Sequence, residues 1–228
     1  MTAGRVLTIC PSRDRPGPLK RLIESFLRTS THAELVVVID EDQTELYGNP
    51  VSGGRVRYVV QSPAKSGPII CYNSIWSSTP AEVYGALLDD CEFLTDGWDD
   101  YCLEARDRFP GKVGLISPWS NVKDPNGVVT DEMDYVQFMF ITREWGGALG
   151  YFAYPKCIHY CWDTVLEVLA DSTCIERVPR EKFSICHHSL LSESTRLHLP
   201  HDTYEAVLFM ATQRRQAIAR LRKAMARR

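Results

Sequence analysis

The sequence predicts a single α/β domain with a mainly parallel central sheet and a basic helix near its C-terminal end. Three observations carry this. Short β-rich apolar runs alternate with segments of helical periodicity; several runs are apolar at consecutive positions, as suits strands covered on both faces; and residues 214–228 hold seven basic side chains and no acid. A chain of 228 residues, 44% hydrophobic and 24% charged, buries roughly 70% of its unfolded surface as one domain of this size.

Val6–Cys10 reads as the first strand. Pro16–Arg28 reads as a helix, because Leu19, Leu22, Ile23, Phe26 and Leu27 recur at helical spacing. Leu35–Asp40, Val56–Val60 and Val83–Asp90 read as further strands, with a short helix over Ile69–Trp76. A helix over Trp98–Phe109 and a strand over Lys112–Ser117 follow. Asn121–Asp131 is polar and loop-like, Tyr135–Ile141 strand-like, and Gly146, Gly147 and Gly150 interrupt the pattern before Tyr151–Tyr154. Cys157–Ala170 is expected as helix and Phe183–His188 as a short strand or turn. In the last segment Val207, Ala211, Ile218, Leu221 and Met225 fall near one helical face. The domain is placed at 1–205 and the basic amphipathic helix at 206–228.

Ordinary glycine and proline usage, 14 and 13 residues, excludes collagen-like and low-complexity classes. Eight cysteines without any CxxC read as scattered buried thiols. The opening apolar run is too short for a signal sequence or a spanning helix, so a cytoplasmic chain is expected, in the host cytoplasm if viral. Outside the tail, 19 basic residues face 29 acidic ones, a net −10. An acidic body with a basic tail is suited to meet a polyanion through the tail, although a basic amphipathic helix is also common as a plain solvated face.

The strongest chemical feature is Leu87-Leu88-Asp89-Asp90-Cys91-Glu92, an apolar run ending in adjacent carboxylates. Open α/β sheets bind ligands beyond the carboxyl ends of their strands. Carboxylate oxygens suit Mg²⁺ or Mn²⁺, which suit phosphate; a solvated turn is the plainer alternative. Asp40 ends another strand, where an acid either accepts from a ribose or base edge or caps a helix. No GxGxxG or GxxxxGK[ST] follows the first strand, which disfavours dinucleotide dehydrogenases and P-loop NTPases.

The opening strand with Pro11-Ser12-Arg13-Asp14-Arg15-Pro16, the strand ending at Asp40, and Leu88-Asp89-Asp90-Cys91 together resemble nucleotide-sugar glycosyltransferases of the GT-A fold, in the family-2-like group. The chain also resembles small bacteriophage-encoded members. There the matches are Asp89-Asp90 with Gly97-Trp98-Asp99, Leu149–Phe152 with Pro155, Trp162-Asp163, and His187-His188 with Asp202-Thr203-Tyr204. The resemblance spans about residues 5–205.

This resemblance implies a GT-A, Rossmann-like domain in which Pro11, Ser12, Arg13, Arg15 and Asp40 hold the donor nucleoside. It places Lys65, Gly67 and Asn73 on the diphosphate side, Asp89 at the ribose or sugar, and Asp90 on a divalent metal, Mn²⁺ or Mg²⁺, with His187 or His188 completing the shell. Asp163 is the implied base that deprotonates the acceptor hydroxyl during an inverting transfer, with Glu144 and Asp171 in reserve. The donor is a UDP-sugar by default. The sequence departs from the family at Cys91, where a DxD triplet has an acid. The expected acceptor is a hydroxymethylated base in phage DNA, met through the basic tail; a surface glycan, lipid or small molecule is the alternative, as is a non-catalytic nucleotide- or nucleic-acid-binding protein of the same fold.

Overall fold

The computed structural model describes residues 5–48, 54–62, 67–123, 129–132, 138–188 and 199–227. In chain order the elements are β1 (Val6–Ser12), α1 (Pro16–Thr29), β2 (Glu34–Asp40), β3 (Val56–Gln61), α2 (Pro68–Ser78), β4 (Val83–Ala86), β5 (Cys91–Phe93) and α3 (Trp98–Arg108). They continue with β6 (Leu115–Ser117), β7 (Trp119–Lys123), β8 (Val129–Glu132), β9 (Met139–Thr142), α4 (Arg143–Leu149), α5 (Trp162–Asp171), β10 (Ile175–Arg177), β11 (Ser184–His188), α6 (Leu199–Thr212) and α7 (Arg214–Met225).

Seven strands form the central sheet in the order β10-β6-β9-β4-β1-β2-β3, and β5-β11-β7-β8 form a second sheet. In the central sheet only β9 runs against its neighbours, β4 and β6. Consecutive apolar residues divide between two cores, as the strand period of two requires. Leu7, Ile9, Val36 and Val38 face α2, α4, α5 and the C-terminal helices. Val6, Cys10, Leu35, Val37 and Ile39 face α1 and α3 with the second sheet.

The structure corrects several expectations. The run 83–90 does not remain one strand: β4 stops at Ala86, and a turn closed by the Cys91 amide on Leu88 O (3.3 Å) carries the chain into β5. Of the stretch 121–131, expected as loop, residues 121–123 and 129–131 are strand, because β7 pairs in parallel with β11 and antiparallel with β8; 124–128 lie outside the described residues. Gly146 and Gly147 lie inside α4, where Gly146 admits the Trp76 indole; a Cβ there would stand 2.8 Å from its Nε1. Helix α5 begins at Trp162, not Cys157. The amides of residues 158–160 are taken by Asp202, and Cys161 sits in the left-handed region at φ 60°. The C-terminal segment forms two helices meeting at Gln213, and the division expected after residue 205 falls within α6. Val207 and Ala211 face outward, while Ala206, Phe209, Ala217 and Leu221 enter the core. Phe209 sets that phase by packing on Tyr154, ring centroids 4.8 Å apart.

The Gly-Trp-Asp segment is structural. Trp98 is fully buried and stacks on Phe93 at 4.6 Å. Buried Asp99 accepts the amides of Thr31, His32 and Ala33 at 2.6–3.0 Å, fixing the turn from α1 to β2. Asp99→Asn leaves buried donors poorly matched and should cost roughly 2–3 kcal/mol, measured by urea unfolding; an unchanged midpoint would contradict this role.

Candidate active site

The two acids lie on the turn after β4, beside the end of β1, where the sheet extends to β2 on one side and β4 on the other. Both are buried. Carboxylates taken from water need partners, and each partner comes from a different element. Ser12, closing β1, donates to Asp89 Oδ2 at 2.8 Å. Arg15 Nη1 reaches both acids, at 3.2 Å from Asp89 and 2.8 Å from Asp90. From β11, His187 Nε2 lies 3.2 Å from Asp90 Oδ1.

The loop 12–15 serves two acidic groups. Asp14 adopts a left-handed backbone at φ 59° between two arginines that diverge. Arg15 goes to the acid pair, and Arg13 goes to Asp40 (2.6 Å) and, through two nitrogens, to Asp42 (both 2.7 Å). Pro11 lies within β1, half-buried opposite Val38. Tyr47 ties the loop together: its hydroxyl lies 2.7 Å from Ser12 Oγ and accepts from the Arg15 amide at 3.2 Å.

The environment separates the two carboxyls. Burial pushes Asp89 up to about 6, against the Ser12 hydrogen bond and the Arg15 charge. Burial acts on Asp90 in the same sense, but His187 and Arg15 outweigh it and hold Asp90 below its ordinary value. Adjacent carboxyls driven apart in this way are a common arrangement at functional sites.

A divalent cation fits this corner in part. Asp90 Oδ1 is buried, accepts no well-aligned hydrogen bond among the described residues, and faces the His187 nitrogen. An oxygen and an imidazole nitrogen suit Mn²⁺. Among the described residues no group of three His, Cys, Asp or Glu side chains is suited to a metal, so phosphate and water would supply the remaining ligands. Of the two histidines, His187 is the one beside Asp90. His188 alternates to the other face of β11, 3.1 Å from Glu92 Oε2, and burial lowers its pKa. Cys91, the departure from the DxD pattern, is fully buried in the core behind the turn, and burial together with the charges of Asp90 and Asp89 raises its thiol well above the ordinary value.

The remaining expected residues are spread more widely. Lys65 lies outside the described residues. Gly67 precedes α2 at φ +83°, and a Cβ there would come within 2.8 Å of Ile158 O, so glycine is required twice over. The Asn73 amide is occupied by backbone, donating to Ala153 O (2.8 Å) and accepting from Phe152 N (2.8 Å) and Ala153 N (3.1 Å). Asp163 sits in the first turn of α5, half-buried, with Oδ1 accepting from the Thr164 amide at 2.8 Å. Burial raises its pKa, against the surroundings a ready base requires. Among the described residues it touches neither Asp89 nor Asp90. A short path nevertheless links them: Trp162 packs on Tyr72 at 5.3 Å, and the Tyr72 hydroxyl donates to Leu87 O at 2.9 Å. The reserves are engaged elsewhere, Glu144 with Arg106 (2.9 Å) and Asp171 with Arg177 (3.3 Å).

Sequence reasoning missed Tyr47, which stands in a polar stretch with no periodic signal. It also gave Asp202 no structural role. Fully buried, Asp202 accepts the amides of Ile158, His159 and Tyr160 at 2.8, 2.8 and 2.6 Å.

The topology defines a GT-A-like Rossmann fold. Among solved structures the chain is similar to S. aureus TarS. The 1–349 fragment is 15% identical at TM-score 0.63, covering 96% of this chain and 71% of that one. The same fragment in complex with UDP-GlcNAc gives 14% and 0.66, covering 96% and 72%. A longer TarS structure gives 13% and 0.65, and there the chain covers 92% of itself but 39% of the other. At such identities the likeness is one of fold. No family model matches the sequence, and no curated protein matches it. No helix among the described residues is long and apolar enough to cross a membrane.

Burial sets the Asp89 carboxyl apart from an exposed one in its effect on folding. It lies above the ordinary 3.8, so Asp89 favours the folded state most below about pH 4, and this contribution is lost as pH rises through about 6. Relative to Asp89→Asn, wild-type stability should fall by up to about 3 kcal/mol between about pH 4 and pH 8. Urea unfolding of both proteins across that range measures it, and a pH-independent difference would overturn the assignment.

Proposed function

We propose that the protein is a nucleotide-sugar-dependent glycosyltransferase using a UDP-sugar donor. The observation that carries this reading is the buried Asp89–Asp90 turn, met by Arg15 and His187, beyond the carboxyl ends of the central strands β1 and β4 of a GT-A-like sheet. The TarS fragment to which the chain is similar has been solved with UDP and with UDP-GlcNAc, which supports the choice of donor.

In this reading Ser12, Arg13 and Asp40 hold the nucleoside, with Asp40 kept in place by Arg13. Asp89 faces the ribose or sugar, its orientation set by Ser12 and Tyr47. Asp90 and His187 hold a divalent cation, which when bound offsets the charge developing on the diphosphate leaving group. Arg15 adds a fixed positive charge beside the same group. Asp163 takes the acceptor proton, and its raised pKa places the acid limb of activity above that of a solvent-exposed aspartate.

For the acceptor we infer a modified base in duplex DNA. Arg215, Arg220, Arg222 and Lys223 are exposed along α7, which contains no acid. Arginines presented this way release counterions on meeting phosphates. Arg215→Glu with Lys223→Glu should therefore weaken duplex binding and flatten its salt dependence, read by fluorescence anisotropy. DNA binding unaffected by the double variant would redirect the acceptor towards a glycan, lipid or small molecule.

UDP with Mn²⁺ should raise the melting temperature, and Asp90→Asn should remove the metal-dependent part of the shift. Asp163→Asn should leave that shift intact while lowering turnover by roughly 10²–10⁴-fold. Wild-type turnover in both variants, or no donor binding under any condition, would overturn the proposed function.

A further inference from the structure

Helix α6 is stitched to the loop before α5 at every step. His201 Nε2 lies 3.2 Å from Lys156 O, and the Asp202 carboxylate accepts three successive amides, 158–160. Thr203 Oγ1 lies 3.8 Å from Cys161 Sγ. A fully buried carboxylate holding three amides resists displacement, because moving the loop would strand a charge and three donors away from water. The other side of the loop is equally constrained: Ile158 O abuts Gly67, where even a methyl group would collide. Trp162, which follows the left-handed Cys161, packs on Tyr72 and Phe152. The loop is therefore clamped between the turn that opens α2 and the first turn of α6, and Asp163 emerges directly from it.

We propose that Asp202 is a positioning residue whose clamp on residues 158–160 sets where Asp163 stands relative to the donor side of the site. The inference rests on Asp163 acting as the base. Asp202 itself is fully buried and acts only through the loop. Its carboxylate sets a backbone path, the path sets the start of α5, and that start sets the Asp163 side chain. A displacement of about 1 Å at a reacting group costs about 100-fold in rate without weakening a ligand bound elsewhere.

Asp99 supplies the control. It makes the same three-amide clamp on the opposite side of the sheet, at the turn from α1 to β2. Asp202→Asn and Asp99→Asn should lower the melting temperature comparably. Only Asp202→Asn should also lower kcat, by about 100-fold, with UDP affinity within about twofold and KM for the donor little changed. Its kcat–pH profile should shift on the acid limb, and the amides of 158–160 should lose hydrogen-exchange protection while those of 31–33 keep theirs. Asp202→Glu, which retains the charge but moves it by one methylene, should fall between the two and serves if Asp202→Asn does not fold.

Equal kcat losses in the Asp202 and Asp99 variants would show a general stability effect and overturn the proposal. An unchanged kcat in Asp202→Asn, with the 158–160 amides exchanging freely, would overturn it as well. Asp163→Asn, assayed in parallel, separates the two levels. Full turnover there removes the base and the positioning inference together, whereas an inactive Asp163→Asn beside a fully active Asp202→Asn removes only the second.

Discussion

Two adjacent carboxylates taken out of water at the end of β4 are the constraint around which the site is arranged. Left alone they would repel each other and favour unfolding or protonation. Arg15 meets both, and its loop is held by Tyr47 through the Arg15 amide and the Ser12 hydroxyl. His187 reaches Asp90 only because β11 pairs with β5, the strand that leaves the acid turn. Three segments of chain, the loop 12–15, the stretch with Tyr47 and β11, thus converge on the acid turn. Among the described residues one guanidinium and one imidazole face the two acids.

The molecule uses buried aspartates in two distinct ways. Asp89 and Asp90 are paired by side chains that could exchange partners with a ligand. Asp99 and Asp202 each accept three backbone amides among the described residues, partners that cannot turn towards a ligand. The first kind suits chemistry and the second suits framework. Burial does not distinguish them, since all four are nearly inaccessible; the nature of their partners does.

Much of the framework was legible in the sequence because it depends on near neighbours. The spacing of Leu19, Leu22 and Phe26 announces α1, and the run from Leu35 to Ile39 announces a strand covered on both faces. The acid turn was visible as an apolar run ending in two carboxylates, and the loop 12–15 by its arginines. The hidden parts depend on distant partners. Strand β7 carries buried Ser120 and Asn121, and it exists through its pairing with β11, more than sixty residues later. Periodicity extended α5 back to Cys157 because it cannot register that Asp202 competes for the amides of 158–160. Tyr47 gave no signal, since its role is a single hydroxyl placed between two segments. Of the residues that the resemblance to GT-A enzymes singles out, packing decides which meet: Ser12, Arg15, Asp89, Asp90 and His187 do, while Asn73 is spent on backbone.

The tie between Asp202 and residues 158–160 also bears on the order in which the protein is made. Chains emerge from the ribosome amino end first, and early segments can fold while later ones are still being added. The strands β1 to β4 and the loop bearing Arg15 lie wholly in the first part of the chain. The segment ahead of α5 must wait more than forty residues for the carboxylate that organises it. A nascent chain can thus bring Ser12 and Arg15 to its acid pair before His187 and the loop ahead of α5 are in place, so the two acids gain their partners in stages during synthesis.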